Sequence, residues 1–447
     1  MKTFIRQGII GLILVGILCV FQVTANDLTQ LAKDYVPKLE KNLFEDFAPL
    51  WLSRGVDWDN GGYKVPKLTT TIEEPPGNSK TIVQQAQCLW FFSKLSGVGH
   101  ESKKMREAAI LGYRFLKEKM WDTENGGFFW EVTADGSQVL NSNKYLYGQS
   151  FALEAISEYY LATNDNEALR FAIQFFNLLE LRAHDLNHGG YFEYFNRDWS
   201  LLLPSKDSNI DIPNKTTIKS SKMHLAFLSA LTTFYRASQL PVARNRLLEL
   251  LTIISNTVVR KNVGACTDKY EQDWTPLVNK NTTRVFYGHD LGTIWRLMTA
   301  SRAVGMSVHI LLDLYQTVFQ YSLQNGYDSE QGGFYFSGLL NQPADYNVKL
   351  WWVEAEALFS SLSLYKYTGD LKYQHVFEKT YSFIQKHMPD WENGGDHISL
   401  ISQPLLDYHK LDHRKTAYYH GRAMIGCLEL FKSHLDESYS KTEPVSH

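Results

Sequence analysis

A short glycine-containing motif that returns along the chain sets the tightest limit on the fold. Each copy has Asp, three further residues, Gly-Gly and usually an aromatic residue. Copies begin at Asp57, Asp122, Asp185, Asp328 and, in a weaker form, Asp390. The first glycines of successive copies are 65, 63, 143 and 62 residues apart, so one degenerate copy fits in the long gap, and we place it near residues 268–274. A period of about 65 residues predicts six repeated units with a tight turn in each.

The sequence between the turns is helical. Apolar residues recur with a spacing near 3.6 in segments 82–95, 144–161, 224–238 and 352–367, which few Gly or Pro residues interrupt. Residues 147–161 are apolar on most helical faces, which predicts burial between two layers. Two helices and a turn in each of six units predict an all-α (α/α)6 barrel, a toroid. Aromatic pairs after the glycines predict short β-hairpins at one mouth.

Composition excludes several classes of protein. The chain has 447 residues, of which 44% are hydrophobic, so it can bury a large core. It has 45 Lys and Arg against 48 Asp and Glu, and no block of five like charges, so we expect no nucleic-acid partner. Cys88, Cys266 and Cys427 are far apart and form no Cys-x-x-Cys pair, so stability must come mainly from packing.

The N-terminus has the pattern of an export signal. Lys2 and Arg6 precede an apolar run at 8–21, and the stretch 23–25 fits a small-residue cleavage site. We therefore expect cleavage after Ala25 and a secreted or periplasmic protein with no stable membrane association. An uncleaved anchor is the alternative. Residues 26–447 are then expected to form a single catalytic domain.

Four clusters combine the residue types that carry chemistry. They are Tyr287-Gly288-His289-Asp290, Tyr419-His420-Gly421-Arg422, Lys222-Met223-His224 and Trp351-Trp352-Val353-Glu354-Ala355-Glu356. Taken singly, each of these histidines and the Trp pair is more typical of a structural position than of a catalytic one. Aromatic residues around the central funnel of a toroid nevertheless suit a carbohydrate, whose apolar faces stack on Trp and Tyr.

Taken together, these clusters resemble the N-acylglucosamine 2-epimerase superfamily, which includes cellobiose and mannobiose 2-epimerases and aldose–ketose isomerases. Residues 288–295 look like its Gly-His-Asp-Ile-Glu motif, and residues 419–422 look like its Tyr-His-x-x-Arg motif with one residue fewer. Residues 351–357 look like its Trp-Trp-x-x-Ala-Glu-Ala helix, and residues 144–151 also match. His224 falls where the family has a third active-site histidine. Five matches in order over nearly the whole mature chain are far more specific than one.

The resemblance implies proton transfer at C2 of a reducing mono- or disaccharide. Once the sugar ring opens, the aldehyde acidifies the C2 proton, and a neutral histidine can remove it to give a cis-enediolate. It implies that His289 and His420 are the acid/base pair and that His224 is a supporting donor to the substrate. The implied substrate-binding residues are Trp351, Trp352, Tyr147, Lys144, Glu356 and Arg422. Return of the proton to C2 gives the epimer, return to C1 gives a ketose, and neither requires a cofactor.

Two departures from the family pattern concern charged groups. The family usually has Glu three residues after the histidine of the Gly-His-Asp motif, where this chain has Gly292. It also tends to have Arg in a Gln-Ala-Arg stretch on the second helix, where this chain has Gln87. The substrate, the reaction or activity itself can therefore differ from those of the cellobiose-type enzymes.

Two other functions remain open at this point. A secreted glycoside hydrolase on the same toroid needs two carboxylates across the scissile bond, for which Asp290, Glu354 and Glu356 are candidates. A sugar-binding protein that has lost catalysis is the other. We expect no metal site, because the pair His184 and His188 overlaps a repeat turn and the pair His409 and His413 has no Cys ligand or further His pair nearby.

Overall fold

The computed structural model describes residues 28–64, 79–99, 102–202, 217–277, 283–390, 396–397, 400–401 and 416–442. The predicted leader at 1–25 and the glycine pair of the copy that begins at Asp390 lie outside the described residues.

Twelve helices make up most of the described chain, and outer and inner helices alternate along it. Helix α1 covers residues 28–41 and continues through the helical turns Asn42–Phe47, Ala48–Leu50 and Trp51–Gly55. The others are α2 (Ile82–Leu95), α3 (Ser102–Phe115), α4 (Leu146–Thr163), α5 (Asn166–Arg182), α6 (Ser221–Ser238), α7 (Pro241–Ile253), α8 (Tyr287–Ala303), α9 (Leu312–Gly326), α10 (Trp351–Thr368), α11 (Leu371–His387) and α12 (Tyr418–Thr442). None of the described helices is long and apolar enough to cross a membrane.

The even-numbered helices form an inner ring. Each packs against the next, and α12 packs against α2, which closes the ring. Both sides of an inner helix are covered, so α2 buries every residue except Val83 and Lys94. Outer helices such as α5 bury one face only. The predicted (α/α)6 toroid and the predicted burial of residues 147–161 between two layers are thus confirmed.

The turns from inner to outer helices have a recurring local chemistry. Asn164 and Gly369 end α4 and α10 in the left-handed conformation, with φ of 56° and 68°. The next residue in each case, Asp165 or Asp370, accepts a hydrogen bond from the first turn of the following helix. A left-handed residue followed by an Asp cap stops one helix and starts the next within two residues.

The strands are short and antiparallel, and several of them come directly before an inner helix. They are β1 (Lys80–Thr81), β2 (Glu131–Val132), β3 (Val139–Asn141), β4 (Lys144–Tyr145), β5 (Tyr194–Phe195), β6 (Lys219–Ser220), β7 (Val259–Arg260), β8 (Ala265–Cys266), β9 (Lys269–Tyr270), β10 (Arg284–Phe286), β11 (Ser337–Leu339), β12 (Ala344–Tyr346), β13 (Val348–Lys349), β14 (Pro389–Asp390), β15 (Asp396–His397) and β16 (Leu400–Ile401). The sheets have the orders β1-β2-β3, β4-β5, β6-β9, β7-β8, β10-β11-β12, β13-β16 and β14-β15. They gather at the end of the toroid where the inner helices begin.

Each Gly-Gly turn joins an outer helix to this end of the toroid. In the first copy, Gly61 N donates to Asp57 O at 2.8 Å, Asp57 N donates to Gly62 O at 3.0 Å, and Val56 bridges to Tyr63. The copies at Asp122, Asp185 and Asp328 repeat this pattern. Both glycines have positive φ, which residues with a side chain rarely adopt, so the glycine pair is required by the backbone.

The degenerate copy lies at residues 260–266, so its predicted position at 268–274 is wrong. Gly264 N donates to Arg260 O at 2.7 Å, and Val259 pairs with Cys266 as Val56 does with Tyr63. Trp274 belongs to a different feature, because its indole donates to the backbone carbonyl of His188 in the preceding turn at 3.1 Å.

Before four of the inner helices, α2, α4, α6 and α10, a lysine and a polar residue of the first helical turns hold the preceding Gly-Gly turn. Lys80 Nζ lies 2.8 Å from Asp57 Oδ2, and Gln85 Oε1 accepts from Tyr63 N at 2.8 Å. The corresponding lysines are Lys144, Lys219 and Lys349, and the corresponding acceptors are Gln149, His224 and Glu354. In the degenerate unit Asp290 accepts from Cys266 N at 2.9 Å. These hydrogen bonds determine where the inner helices begin. They therefore also determine the positions of the first-turn side chains at the mouth of the toroid.

Candidate active site

Each inner helix presents one partly or fully exposed side chain in its first turn, while the residues beside it are buried. These six side chains, which we call the mouth ring, are Val83, Tyr147, Lys222, His289, Trp352 and Tyr419. Five of them stand second in their helix, and His289 stands third. In α8 the second residue is Gly288, and the Trp352 ring packs so closely against it that no side chain fits there.

An aromatic wall joins His289 to His420. The His289 ring centroid lies 5.5 Å from that of Trp352, which lies 6.2 Å from that of Tyr419. Tyr419 contacts Trp351 at 5.3 Å, and Trp351 stacks on His420 at 6.0 Å with an angle of 21° between the planes. Trp351 and His420 are each 4% exposed, so they lie just beneath the mouth ring. The two histidines therefore stand at opposite ends of one aromatic surface.

His289 is held in its neutral form. The rings of Trp352 and Phe286 pack around it, and this burial, together with the positive charges of Lys222 and Arg296, lowers its pKa to about 3. Lys222 Nζ itself lies 4.5 Å from the centre of the Tyr147 ring. A neutral imidazole at the mouth can accept a proton at neutral pH.

Glu356 forms the floor beneath the mouth ring. It accepts a hydrogen bond from the indole of Trp295, one from Arg296 Nη2 at 3.0 Å and one from Arg422 Nη2 at 2.6 Å. Burial opposes ionisation of Glu356, but the two guanidinium groups hold its pKa below the ordinary range. The floor thus combines one ionised carboxylate with two arginines, and Arg422 also lies over the Trp295 ring at 4.2 Å.

The two positions that depart from the family pattern, Gly292 and Gln87, have uncharged residues, and the neighbours of each account for this. Gly292 leaves the space that the Arg296 guanidinium fills. Gln87 is buried and accepts a hydrogen bond from Thr416 Oγ1 at 2.6 Å. Arg296, one turn after Gly292 on the same helix, therefore places a cation where the family usually has the Glu side chain.

His224 has a structural role, so its predicted role as a donor to the substrate is wrong. Its Nδ1 lies 2.8 Å from Ser220 O, and its Nε2 accepts from Tyr191 N at 3.0 Å. The ring is fully buried, and burial lowers its pKa to about 3. With both nitrogens bonded to the backbone, His224 holds a Gly-Gly turn as Gln85 and Gln149 do.

Lys144 also has a structural role. Its Nζ lies 3.1 Å from Asp122 Oδ2, its side chain is fully buried, and burial lowers its pKa to about 8. It is one of the four turn-holding lysines rather than a group that faces the mouth. Its predicted role in substrate binding is therefore wrong.

The structure brings the other predicted site residues together at the toroid axis, and their roles remain predictions. They are His289, His420, Trp351, Trp352, Tyr147, Glu356 and Arg422. Three further residues were missed at the sequence level: Lys222, Arg296 and Trp295. Lys222 has the same place in its helix as Tyr147 and Trp352, and this register was visible in the sequence. Among the described residues, no group of three or more His, Cys, Asp or Glu could hold a metal ion.

Comparison with known proteins agrees with this geometry. The profile of the N-acylglucosamine 2-epimerase family matches residues 62–421. The chain belongs to this family of carbohydrate epimerases, which are isomerases. A cellobiose 2-epimerase from Bacteroides fragilis is 28% identical over 399 residues, which are 88% of this chain and 97% of the relative.

Solved structures show the same fold. The cellobiose 2-epimerase of Spirochaeta thermophila superposes with a TM-score of 0.77 at 27% identity, covering 92% of this chain and 98% of that one. A D-mannose isomerase shares the fold with a TM-score of 0.76 at 20% identity, covering 89% and 97%.

Proposed function

We propose that this protein is a sugar 2-epimerase or aldose–ketose isomerase that acts on a reducing mono- or disaccharide through a cis-enediolate. The observation that carries this proposal is the aromatic wall with a histidine at each end. A sugar stacked on Trp352 lies beside His289, which is neutral at neutral pH because its pKa is lowered to about 3. His420, at the other end, supplies the second acid/base group.

The proton transfer follows from these positions. His289 takes the C2 proton of the open-chain aldose, and the negative charge that develops on O1 needs a cation or hydrogen-bond donor. Lys222 is the cation of the mouth ring and is exposed there. Protonated His420 then delivers a proton to C2 from the opposite face, which inverts that carbon. Delivery to C1 instead gives the ketose.

The arrangement of carboxylates argues against glycoside hydrolysis. Asp290 and Glu354 are fully buried, and each accepts a backbone N–H of a turn. Glu356 is bound by two arginines at the floor. Among the described residues, these three candidates therefore do not provide the acid and the nucleophile or base that a glycosidase needs on either side of a scissile bond.

The test is proton NMR of the protein in D2O with a panel of reducing sugars. Loss of the C2 proton signal together with a new epimer or ketose is the expected result. His289→Asn and His420→Asn should each abolish formation of the epimer or ketose, while His309→Asn, at an exposed histidine outside the mouth, should retain it. Cleavage of a disaccharide without C2 exchange would contradict the proposal. So would binding of a sugar by folded protein without any exchange across the panel.

We also propose that residues 1–25 are removed during export, because a short apolar run between basic residues and a small-residue site is typical of a cleaved signal. N-terminal sequencing of protein from the periplasm or medium of an expression host should begin at Asn26. An intact Met1 in the membrane fraction would support the anchor instead.

A further inference from the structure

The start of α12 is held differently from the starts of the other five inner helices. In those five, the fourth residue of the helix accepts a backbone N–H of the preceding turn, and these acceptors are Gln85, Gln149, His224, Asp290 and Glu354. The fourth residue of α12 is Gly421, which has no side chain, and a Cβ there would collide with the Phe91 ring. No acceptor at this position of α12 can therefore fix where the helix begins.

Gln87 of α2 binds the residues that lead into α12. Its Oε1 accepts a hydrogen bond from Thr416 Oγ1 at 2.6 Å. The same Thr416 Oγ1 accepts one from the backbone N–H of Tyr418, the first residue of α12, at 3.4 Å. All three residues are buried, so these bonds are made out of contact with water, where they are stronger. Gln87 thus holds the first turn of α12 from a neighbouring helix.

Glu154 of α4 holds the same turn through the side chain of Tyr418. Its Oε2 accepts a hydrogen bond from the Tyr418 hydroxyl at 2.9 Å, and both residues are buried. The Tyr418 ring also packs edge-on against Trp90 of α2 and Phe151 of α4, with ring centroids 4.9 and 5.3 Å apart. The orientation of Tyr418 is therefore determined by two helices to which it does not belong.

The first turns of α12 also contain three candidate site residues, Tyr419, His420 and Arg422. A helix is hydrogen-bonded along its length, so a shift or rotation at Tyr418 is passed on to the His420 ring two residues later. This ring stacks on Trp351 at the end of the aromatic wall. A displacement of about 1 Å of a group that transfers a proton can cost on the order of a hundredfold in rate.

We infer that Gln87 and Glu154 are positioning residues for proton transfer by His420, and that they act by holding Thr416 and Tyr418. The inference rests on the proposed function, because it requires His420 to deliver a proton. It also gives position 87 a role in this chain. Where the family tends to have Arg, a neutral side chain binds the helix of His420 instead of adding a charge at the sugar.

The experiment measures two rates on the full chain in D2O with a sugar that the protein converts. His289 alone can remove the C2 proton and return a deuteron to the same face, whereas formation of the epimer or ketose also needs His420. Tyr418→Phe and Gln87→Met should lower kcat for product about tenfold, with KM changed less than about twofold. Deuterium exchange into recovered substrate should fall much less. A smaller fraction of folded protein would lower both rates equally, so the ratio of product to exchange reports on position.

Two variants of Glu154 separate the hydrogen bond from the bulk of the side chain. Glu154→Gln keeps an acceptor for the Tyr418 hydroxyl and should retain the wild-type ratio of product to exchange. Glu154→Leu should lower this ratio as Tyr418→Phe does. Combining Glu154→Leu with Tyr418→Phe should lower it no further than either change alone, because both changes remove the same bond.

The matched control is Tyr63→Phe. Tyr63 is also fully buried, and its hydroxyl donates to Ala108 O of α3 at 3.0 Å. This variant should keep the wild-type ratio even where it lowers the Tm. A wild-type ratio in Tyr418→Phe or in Gln87→Met, or an equal fall in Tyr63→Phe, would overturn the inference and leave the proposed function in place. Absence of product from the wild-type protein would overturn both.

Discussion

The guanidinium of Arg296 fills the space into which a side chain at position 292 would project. Residues four apart share one face of a helix, so Arg296 reaches back one turn over Gly292 and donates to Glu356 at 3.0 Å. A Cβ at position 292 would also approach the Glu356 carboxylate to 3.1 Å. Glycine at 292 therefore makes room for the arginine at 296 in the floor of the site.

The first prediction concerns this pair. Gly292→Glu alone should lower the free energy of unfolding by about 1–3 kcal/mol, because the new side chain collides with Arg296. Combining it with Arg296→Leu should recover only the steric part of that loss, because Glu356 then lies beside a second carboxylate and keeps only one of its two arginines, Arg422. Urea unfolding of the wild type, both single variants and the double variant measures the coupling. Strictly additive effects would show that the two positions are independent.

The second prediction concerns pH. His289 must be neutral to accept a proton, and because its pKa is lowered to about 3, kcat/KM should not fall near pH 6.5 through protonation of this residue. Lys222→Met removes a charge that lowers this pKa, so the pKa rises and the acidic limb of the profile moves to higher pH. Lys103→Met, at an exposed lysine of α3, is the control and should leave the profile unchanged.

The third prediction tests the structural role of His224. Gln85 and Gln149 hold the corresponding turns through both backbone groups of one residue, so His224→Gln should keep activity and cost less than about 1 kcal/mol. His224→Leu leaves the buried N–H of Tyr191 without an acceptor and should cost about 1–3 kcal/mol. Loss of turnover in a well-folded His224→Gln variant would instead place this histidine at the substrate.

The fourth prediction separates two lysines that lie near the start of inner helices. Lys144→Met removes the buried cation beside Asp122, which keeps its pair with Arg197 at 2.9 Å, and should destabilise the protein by about 1–3 kcal/mol, with KM unchanged in the folded fraction. Lys222→Met should leave the unfolding free energy almost unchanged and reduce kcat. Thermal unfolding and steady-state kinetics of both variants test this. A stable Lys144→Met variant with altered KM, together with an unstable Lys222→Met variant with normal kcat, would refute the roles assigned to the two lysines.

The fifth prediction concerns Glu354. Burial raises its pKa to about 8 although the charge of Lys349 opposes the shift, so the folded protein binds a proton that the unfolded chain releases above about pH 4.5. Its contribution to stability is therefore full below about pH 4.5 and is lost as the pH rises towards 8. Glu354→Gln, the residue type at the same place in α2 and α4, should remove this part of the alkaline destabilisation. Unfolding midpoints from pH 5 to 9 measure it.

The sequence predicted the toroid because the physical signals are local. Inner helices are apolar on nearly all faces, as residues 147–161 show, and the Gly-Gly turns require positive φ. The degenerate copy was misplaced because Arg260 and Cys266 have replaced the Asp and the aromatic residue of the motif. The structure identifies it by its hydrogen bonds, which the sequence does not display.

The candidate site was predicted less completely, for a related reason. A lysine followed five residues later by Gln, His or Glu recurs before four inner helices, and this spacing indicates a scaffold feature. Because Lys144 and His224 also matched the family motifs, they were interpreted as site residues rather than as parts of that repeat. Arg296 was missed because its relation to Glu356 depends on how α8 and α10 pack, which periodicity within one helix does not determine.

The six mouth-ring side chains, which are placed to contact a sugar, are different residues from those that hold the Gly-Gly turns. Its six side chains each come from a different helix, and the turns behind them are held by other residues, so a substitution at one of the six leaves the anchors intact. Descendants of such a chain can exchange substrates through a few single-codon steps, each tolerated by the fold.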